Sequence, residues 1–386
     1  MKQKLLWLRL PAILVLIIAI FSGLIIMQVR GNSVTKSNHS LKLSTSKTAN
    51  LEEIPTLQTN FTVNNLSGKS AQVFNGIGRN VSNSRFYGAY LGSSDNKLKF
   101  SAFYGKSNVH AKSSFKMDTA FLMGNYQELL NNAMLLKLVD QGQLNLTTKL
   151  SNYFSKEPLL SHYTVSDLLS DNFTLYISTK NSAKLRTDKY IATPNMKLAE
   201  KQTKKNSQHM HAANSVIKAI LISMVTKTSY EKAFNILVTD KMNLSNTRLI
   251  NNTSDIATND VKGYDYYVSS GYPVQRNLAS FDMVLFGTNQ LRMPLIDVAI
   301  SYAKIFDNDY FSKKYNSIFH RSLKKFNLVN SSYKKNMYAF TSTEAGQKVT
   351  IQYDADKKNL IVVGENFPNK RLKTGILISQ LTKVLN

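Results

Sequence analysis

Cysteine does not occur among the 386 residues. Its absence excludes disulfides, a thiol nucleophile, cysteine-ligated zinc and a lipid-modified cysteine. Acidic residues are scarce too, 24 Asp and Glu against 49 Lys and Arg, which leaves a net charge of +25. A chain this basic is drawn to polyanions, whether nucleic acid, anionic lipid or wall polymer. No internal repeat is visible. Hydrophobic residues nevertheless make up 43% of the chain, enough to bury a large core.

Charged and amide residues are missing from Leu10 to Met27, "LPAILVLIIAIFSGLIIM", which follows Lys2, Lys4 and Arg9. That run approaches the roughly 20 residues a helix needs to cross a bilayer. It is longer than the about 7 to 15 apolar residues of a cleavable signal, and no clear A-x-A site follows. Residues 1–30 are therefore expected to form an uncleaved transmembrane signal anchor, with a cleaved signal as the alternative. Arg30, Lys36, Lys42 and Lys47 rival the N-terminal positives. Long C-terminal domains translocate largely regardless of such charges, so the expected location is the cell membrane, single-pass, with the domain outside. From Gly31, "GNSVTKSNHSLKLSTSKTANLEE" has no sustained apolar period and reads as a tether. The expected organisation is anchor 1–30, polar linker 31–69 and folded domain 70–386.

Within the domain, "FYGAYLG" and "KLKFSAFYG" predict a hairpin through Ser93 to Asn96. A helix follows in which Leu129, Ala133, Leu136 and Val139 share a face, with Gly142 as its stop. Thr164 and Asp167 have capping-box spacing. "NSVIKAILISMVTKTSYEKAFNILV" reads as strongly helical, "KVTIQYDADKKNLIVVGENF" as a second hairpin, and "KRLKTGILISQLTKVL" as a final amphipathic helix. Strands at both ends with helices between predict an α+β fold: one antiparallel sheet built from both termini, plus a helical lobe.

This order of segments, carried by "YGKSNVHAKSSFKMDTAFLMGNYQELLNNAMLLKLVDQGQLNLTTKLSNYF" and "YTVSDLLSDNFTLY", resembles the serine β-lactamase and penicillin-binding-protein superfamily in its class C-like branch. The likeness runs from about Phe86 to Asn386, through "TSYEKAFNILVTDKMNLSNTRL" and "GYDYY". The family's chemistry implies a Ser at the first turn of a helix, a Lys one turn later that takes its proton, a Tyr-x-Asn segment, and a Lys-Thr-Gly or His-x-Gly strand. Here Asn125 stands at the Ser position and Glu128 at the Lys position. Matching back from Tyr230 puts Met210, His211 and Ala212 at the second motif. Counting back from Gly346 puts Phe340, Thr341 and Ser342 at the third. All three motifs depart from the pattern. The resemblance therefore implies a catalytically inactive relative that binds envelope material or a partner. The alternative is an active serine-type hydrolase (D,D-peptidase, esterase or β-lactamase relative) acting on cell-wall substrates with non-standard residues.

Other motifs carry less. Lys373-Thr374-Gly375 begins a helical pattern, whereas the family's triad lies on a strand. Ser215 with Lys218 has Ser-x-x-Lys spacing at a helix start but stands where the second motif belongs. His209 and His211 lack a nearby carboxylate or cysteine, so no metal is expected. Nor is any cofactor. "GIG" at Gly76 to Gly78 reads as a turn, and Glu128 as an exposed first-turn acid favoured by the helix dipole. From Lys180 to Lys205, Lys180, Lys184, Arg186, Lys189, Lys197, Lys201, Lys204 and Lys205 face only Asp188 and Glu200. With Lys201, Lys204 and Lys205 at its centre, this segment is a candidate lip for an anionic cell-wall polymer or peptidoglycan fragment. Nucleic acid is not an expected partner, because an extracytoplasmic domain rarely meets it and no aromatic-basic recognition motif occurs.

Overall fold

In the computed structural model, the described residues are 61–63, 66–185, 194–201, 210–251, 255–266, 273–276, 286–307, 309–325, 337–367 and 371–386. The anchor and most of the linker lie outside them. No described helix is long and apolar enough to cross a membrane.

Six strands form one antiparallel sheet: β1 (Phe61–Val63), β2 (Gly88–Ser94), β3 (Lys97–Tyr104), and, from the other end of the chain, three strands completed by Asn359–Glu365. The spatial order is β1, β3, β2, Asn359–Glu365, Gln347–Asp354, Met337–Glu344, so the N- and C-terminal strands meet at the centre of the sheet. The predicted first hairpin is present. Its turn residues Asp95 and Asn96 both have left-handed φ, 50° and 59°, the conformation that lets a two-residue connection follow the twist of its strands. Gly92 faces Phe100 so closely that an added Cβ would lie 2.2 Å from the ring, and the register shifts just after it.

Alternation along the strands sends side chains to two cores. Tyr90, Phe100, Ile361 and Val363 meet Phe74, Ile77 and Val81 of α1 (Gly68–Asn83) and the apolar face of the C-terminal helix, Thr374–Leu385. Burying each such large side chain contributes roughly 1.5–3 kcal/mol. Ala89, Leu91, Leu360 and Val362 face the other way, into the larger core of the helical lobe. The "GIG" segment lies inside α1 and is no turn. Strand β1 and the first residues of α1 precede residue 70, where the sequence places the end of the linker, and β1 pairs with β3.

The helical lobe is centred on α2 (Tyr126–Asp140), buried on nearly all sides and closed by Gly142 at φ 72°. Next comes α3 (Val165–Leu169), whose predicted capping box is formed: the Asp167 N–H donates to Thr164 Oγ1 at 3.2 Å, and the Thr164 N–H donates to the Asp167 carboxylate at 2.9 Å. The expected single long helix is two. Helix α4 (Asn214–Thr226) ends at Lys227, in the left-handed conformation at φ 54°, and Ser229 caps a new helix from Tyr230. A three-stranded sheet of Ala120–Leu122, Leu291–Pro294 and Arg248–Leu249 lies at the front of α2. The C-terminal strands are numbered here β4 (Met337–Glu344), β5 (Gln347–Asp354) and β6 (Asn359–Glu365), and the last helix α5 (Thr374–Leu385).

Candidate functional site

The first- and third-motif segments meet at the first turn of α2. Gly124 has φ +43°, which turns the chain from the strand Ala120–Leu122 into the helix and leaves Asn125 exposed at its front edge. An amide there has no lone pair free to attack a carbonyl, because its nitrogen electrons are delocalised. Edge strand β4 closes against the same turn. Ser342 is buried, and its hydroxyl donates to the Met123 carbonyl at 2.7 Å. A Cβ on Gly124 would lie 2.8 Å from Ser342 Oγ and 3.2 Å from Glu344 Cβ. Phe340 points into the core, edge-on to Tyr126 at 5.4 Å between ring centres, while Thr341 is exposed. The third-motif strand is thus in place, with a hydroxyl plugged into the helix turn and no cation on it.

Glu128 is not the freely solvated acid the sequence predicts. Its carboxylate lies 3.3 Å from Lys218 Nζ, and Lys218, from α4, has no exposed surface. Asp171 holds the same ammonium at 2.9 Å and also accepts a hydrogen bond from Asn214 Nδ2 at 2.8 Å. The position that resembles a catalytic lysine therefore carries a carboxylate, and the ammonium beside it is supplied from another helix. The ammonium that follows Ser215 at Ser-x-x-Lys spacing on α4 thus donates to two carboxylates, Glu128 at 3.3 Å and Asp171 at 3.1 Å.

The second-motif segment, Met210–Ala212, is a short strand antiparallel to Tyr176–Ser178, leading directly into α4. Ala212 is exposed and offers neither hydroxyl nor amide. The side chains of Met210 and His211, and all of His209, lie outside the described residues. Among the described residues, no cluster of three or more His, Cys, Asp or Glu could hold a metal. Lys201 is exposed; Lys204 and Lys205 lie outside the described residues.

Elsewhere among the described residues, Ser301 and Ser114 meet a tyrosine and a lysine. Ser301 lies 2.8 Å from the Tyr126 hydroxyl, but both are fully buried and burial pushes the phenol up. Ser114 accepts from Lys106 at 3.1 Å on an exposed hairpin. Neither pair opens on the front edge of α2. Behind that edge, Gln127, Asn131 and Tyr230 form a buried network: Gln127 donates to the Tyr230 hydroxyl at 3.1 Å, which donates to Asn131 at 2.6 Å. Gln127 also accepts from the backbone N–H groups of Gln290 and Leu291. Lys218 was detectable as a lone charge within an otherwise apolar helix, a pattern that demands buried partners, whereas Gln127 and Asn131, beside Glu128 and Asn132, carried no such signal.

No protein-family model matches the chain, and no curated protein matches it in sequence. Solved structures do match. FmtA from Staphylococcus aureus is 19% identical with a TM-score of 0.59, over 84% of this chain and 91% of that one. A penicillin-binding protein from Bacillus halodurans is 12% identical with a TM-score of 0.58, over 80% and 99%. The D-amino acid amidase from Ochrobactrum anthropi SV3 is 12% identical with a TM-score of 0.57, over 81% and 99%. The chain carries the fold of the serine β-lactamase and penicillin-binding-protein superfamily.

Proposed function

We propose that this chain is a membrane-anchored extracytoplasmic protein that uses a penicillin-binding-protein-like scaffold to bind cell-envelope material or a partner without hydrolysing it. The observation that carries the proposal is the pair at the front of α2: an exposed amide at Asn125, and at Glu128 a carboxylate already committed to a buried lysine. Acyl transfer on this fold needs an activated oxygen and a base. With neither in place, what backbone donors and binding alone supply is on the order of 10³- to 10⁴-fold over water. The apolar run at Leu10 to Met27 supports the anchor. The excess of Lys and Arg supports a negatively charged envelope as the setting.

The test is covalent labelling. Purified protein exposed to a fluorescent β-lactam or a fluorophosphonate is expected to remain unlabelled, since no oxygen is activated for acylation. Stable, stoichiometric labelling of any serine would overturn the proposal and establish a serine hydrolase with substitute residues.

A further inference from the structure

A cavity of about 660 Å³ opens where the β4–β5 turn approaches the first turn of α5. Its volume is in the range of small-molecule sites. Lys373, Thr374 and Gly375, set aside above as a helical pattern, lie on its wall, where Gly375 leaves open space.

The charges around this cavity are sorted. At the α5 end, Lys348 lies 3.2 Å from Glu365, and Thr374 Oγ1 bonds to both, accepting from Lys348 at 2.7 Å and donating to Glu365 at 2.5 Å. Lys373 is exposed beside them and forms no ion pair among the described residues. Two cations thus face one carboxylate. At the other end, Arg276 pairs with Asp265 at 2.5 Å, and Glu344 adds a second carboxylate. Burial pushes the Glu344 carboxyl up, opposed by hydrogen bonds from the Ala345 N–H and the Asn289 side chain and by the charge of Arg276. One cation there faces two carboxylates. The cavity is therefore dipolar, positive at α5 and negative at Glu344. Such a field attracts one end of a simple anion and repels the rest of it. A molecule carrying both signs satisfies both ends at once, and the Phe367 side chain supplies an apolar wall.

We propose that this cavity binds a small zwitterion, with its phosphate or carboxylate at Lys348 and Lys373 and its ammonium at Glu344 and Asp265. Glu344, at its negative end, also lies against Gly124 at the first turn of α2, yet the proposal needs only charges and no reactive group at Asn125.

Calorimetric titration of the full-length chain in detergent tests this. Two zwitterions, O-phosphoethanolamine and alanyl-alanine, are compared with counterparts lacking one charge: ethanolamine and glycerol 3-phosphate for the first, alanyl-alaninamide and N-acetyl-alanyl-alanine for the second. At least one zwitterion is expected to bind about tenfold or more tighter than either of its counterparts, a difference of about 1.4 kcal/mol. Whichever zwitterion binds tighter identifies the anionic group. Lys373→Gln is expected to lower its affinity toward that of the cation-only counterpart, and Glu344→Gln toward that of the anion-only counterpart. Both are conservative changes at accessible or partly accessible positions, and unchanged thermal midpoints confirm folding. The proposal is overturned if neither zwitterion binds at up to about 10 mM, if a counterpart binds as well as its zwitterion, or if both variants retain the parent's affinities.

Discussion

A lysine with no exposed surface needs negative partners within reach, and Lys218 has two, Glu128 and Asp171, each with side chains only about one-fifth exposed. Removing one side of a buried pair leaves an uncompensated charge and costs about 3–5 kcal/mol. The two sides are unequal here. Glu128→Gln with Asp171→Asn strips these two countercharges from a fully buried ammonium, whereas Lys218→Met leaves two carboxylates that already touch water. Urea unfolding is expected to show the double carboxylate variant destabilised by about 3–5 kcal/mol and Lys218→Met by less than half of that. The reverse order would mean that the carboxylates, not the lysine, carry the desolvation cost. Arg292 is the contrast, a buried guanidinium with no side-chain hydrogen bond among the described residues and a pKa lowered by burial to about 10, with Asp260 as its favourable charge. At this scale the sequence shows that Lys218 stands alone in an apolar helix. It cannot show its partners, which lie 90 and 47 residues away along the chain.

Between elements, the critical joint is the one between the first turn of α2 and edge strand β4. Gly124 is there for two reasons that act together: its φ is +43°, and a Cβ would press on Ser342 Oγ at 2.8 Å. Gly124→Ala is expected to cost about 1–3 kcal/mol through backbone strain and this overlap. Ser342→Ala alone loses a buried hydrogen bond to the Met123 carbonyl, about 1–3 kcal/mol. Combined, the two changes are expected to cost clearly less than their sum, because the smaller side chain relieves the overlap; additive losses in a double-mutant cycle would show that the two elements do not bear on each other there. Elements whose signals are local were legible in advance. The Asp95-Asn96 hairpin, the Thr164 to Asp167 box and the final helix follow from turn chemistry, capping and period. The break at Lys227 was not, since apolar periodicity continues across it and only the Ser229 cap marks the restart. Helix α1 was not either: Phe74, Ile77 and Val81 have helical spacing, but Gly76 and Gly78 among them read as a turn.

Over the whole molecule, charge is the property that sequence states most directly and packing changes least. Even with all 24 acidic residues paired, 25 of the 49 Lys and Arg lack a countercharge, and the cost of burying an unpaired charge keeps most of that excess in solvent. The Lys180 to Lys205 segment concentrates that excess, and Lys180, Lys184 and Lys201 are exposed. Exposed ionic contacts are individually worth roughly 0–1 kcal/mol, so useful affinity for a polyanion requires many of them at once. Their range shrinks as the Debye length falls from about 10 Å at 0.1 M salt to about 3 Å at 1 M. Retention of the protein on immobilised teichoic acid is therefore expected to fall steeply across that interval. Lys201→Gln, Lys204→Gln and Lys205→Gln together should move elution to lower salt without changing the thermal midpoint, since lysines in a polar stretch of sequence add little to a hydrophobic core. Equal retention of the triple variant and the parent across the salt series would separate the net charge from this segment, and place polymer binding on the basic surface as a whole.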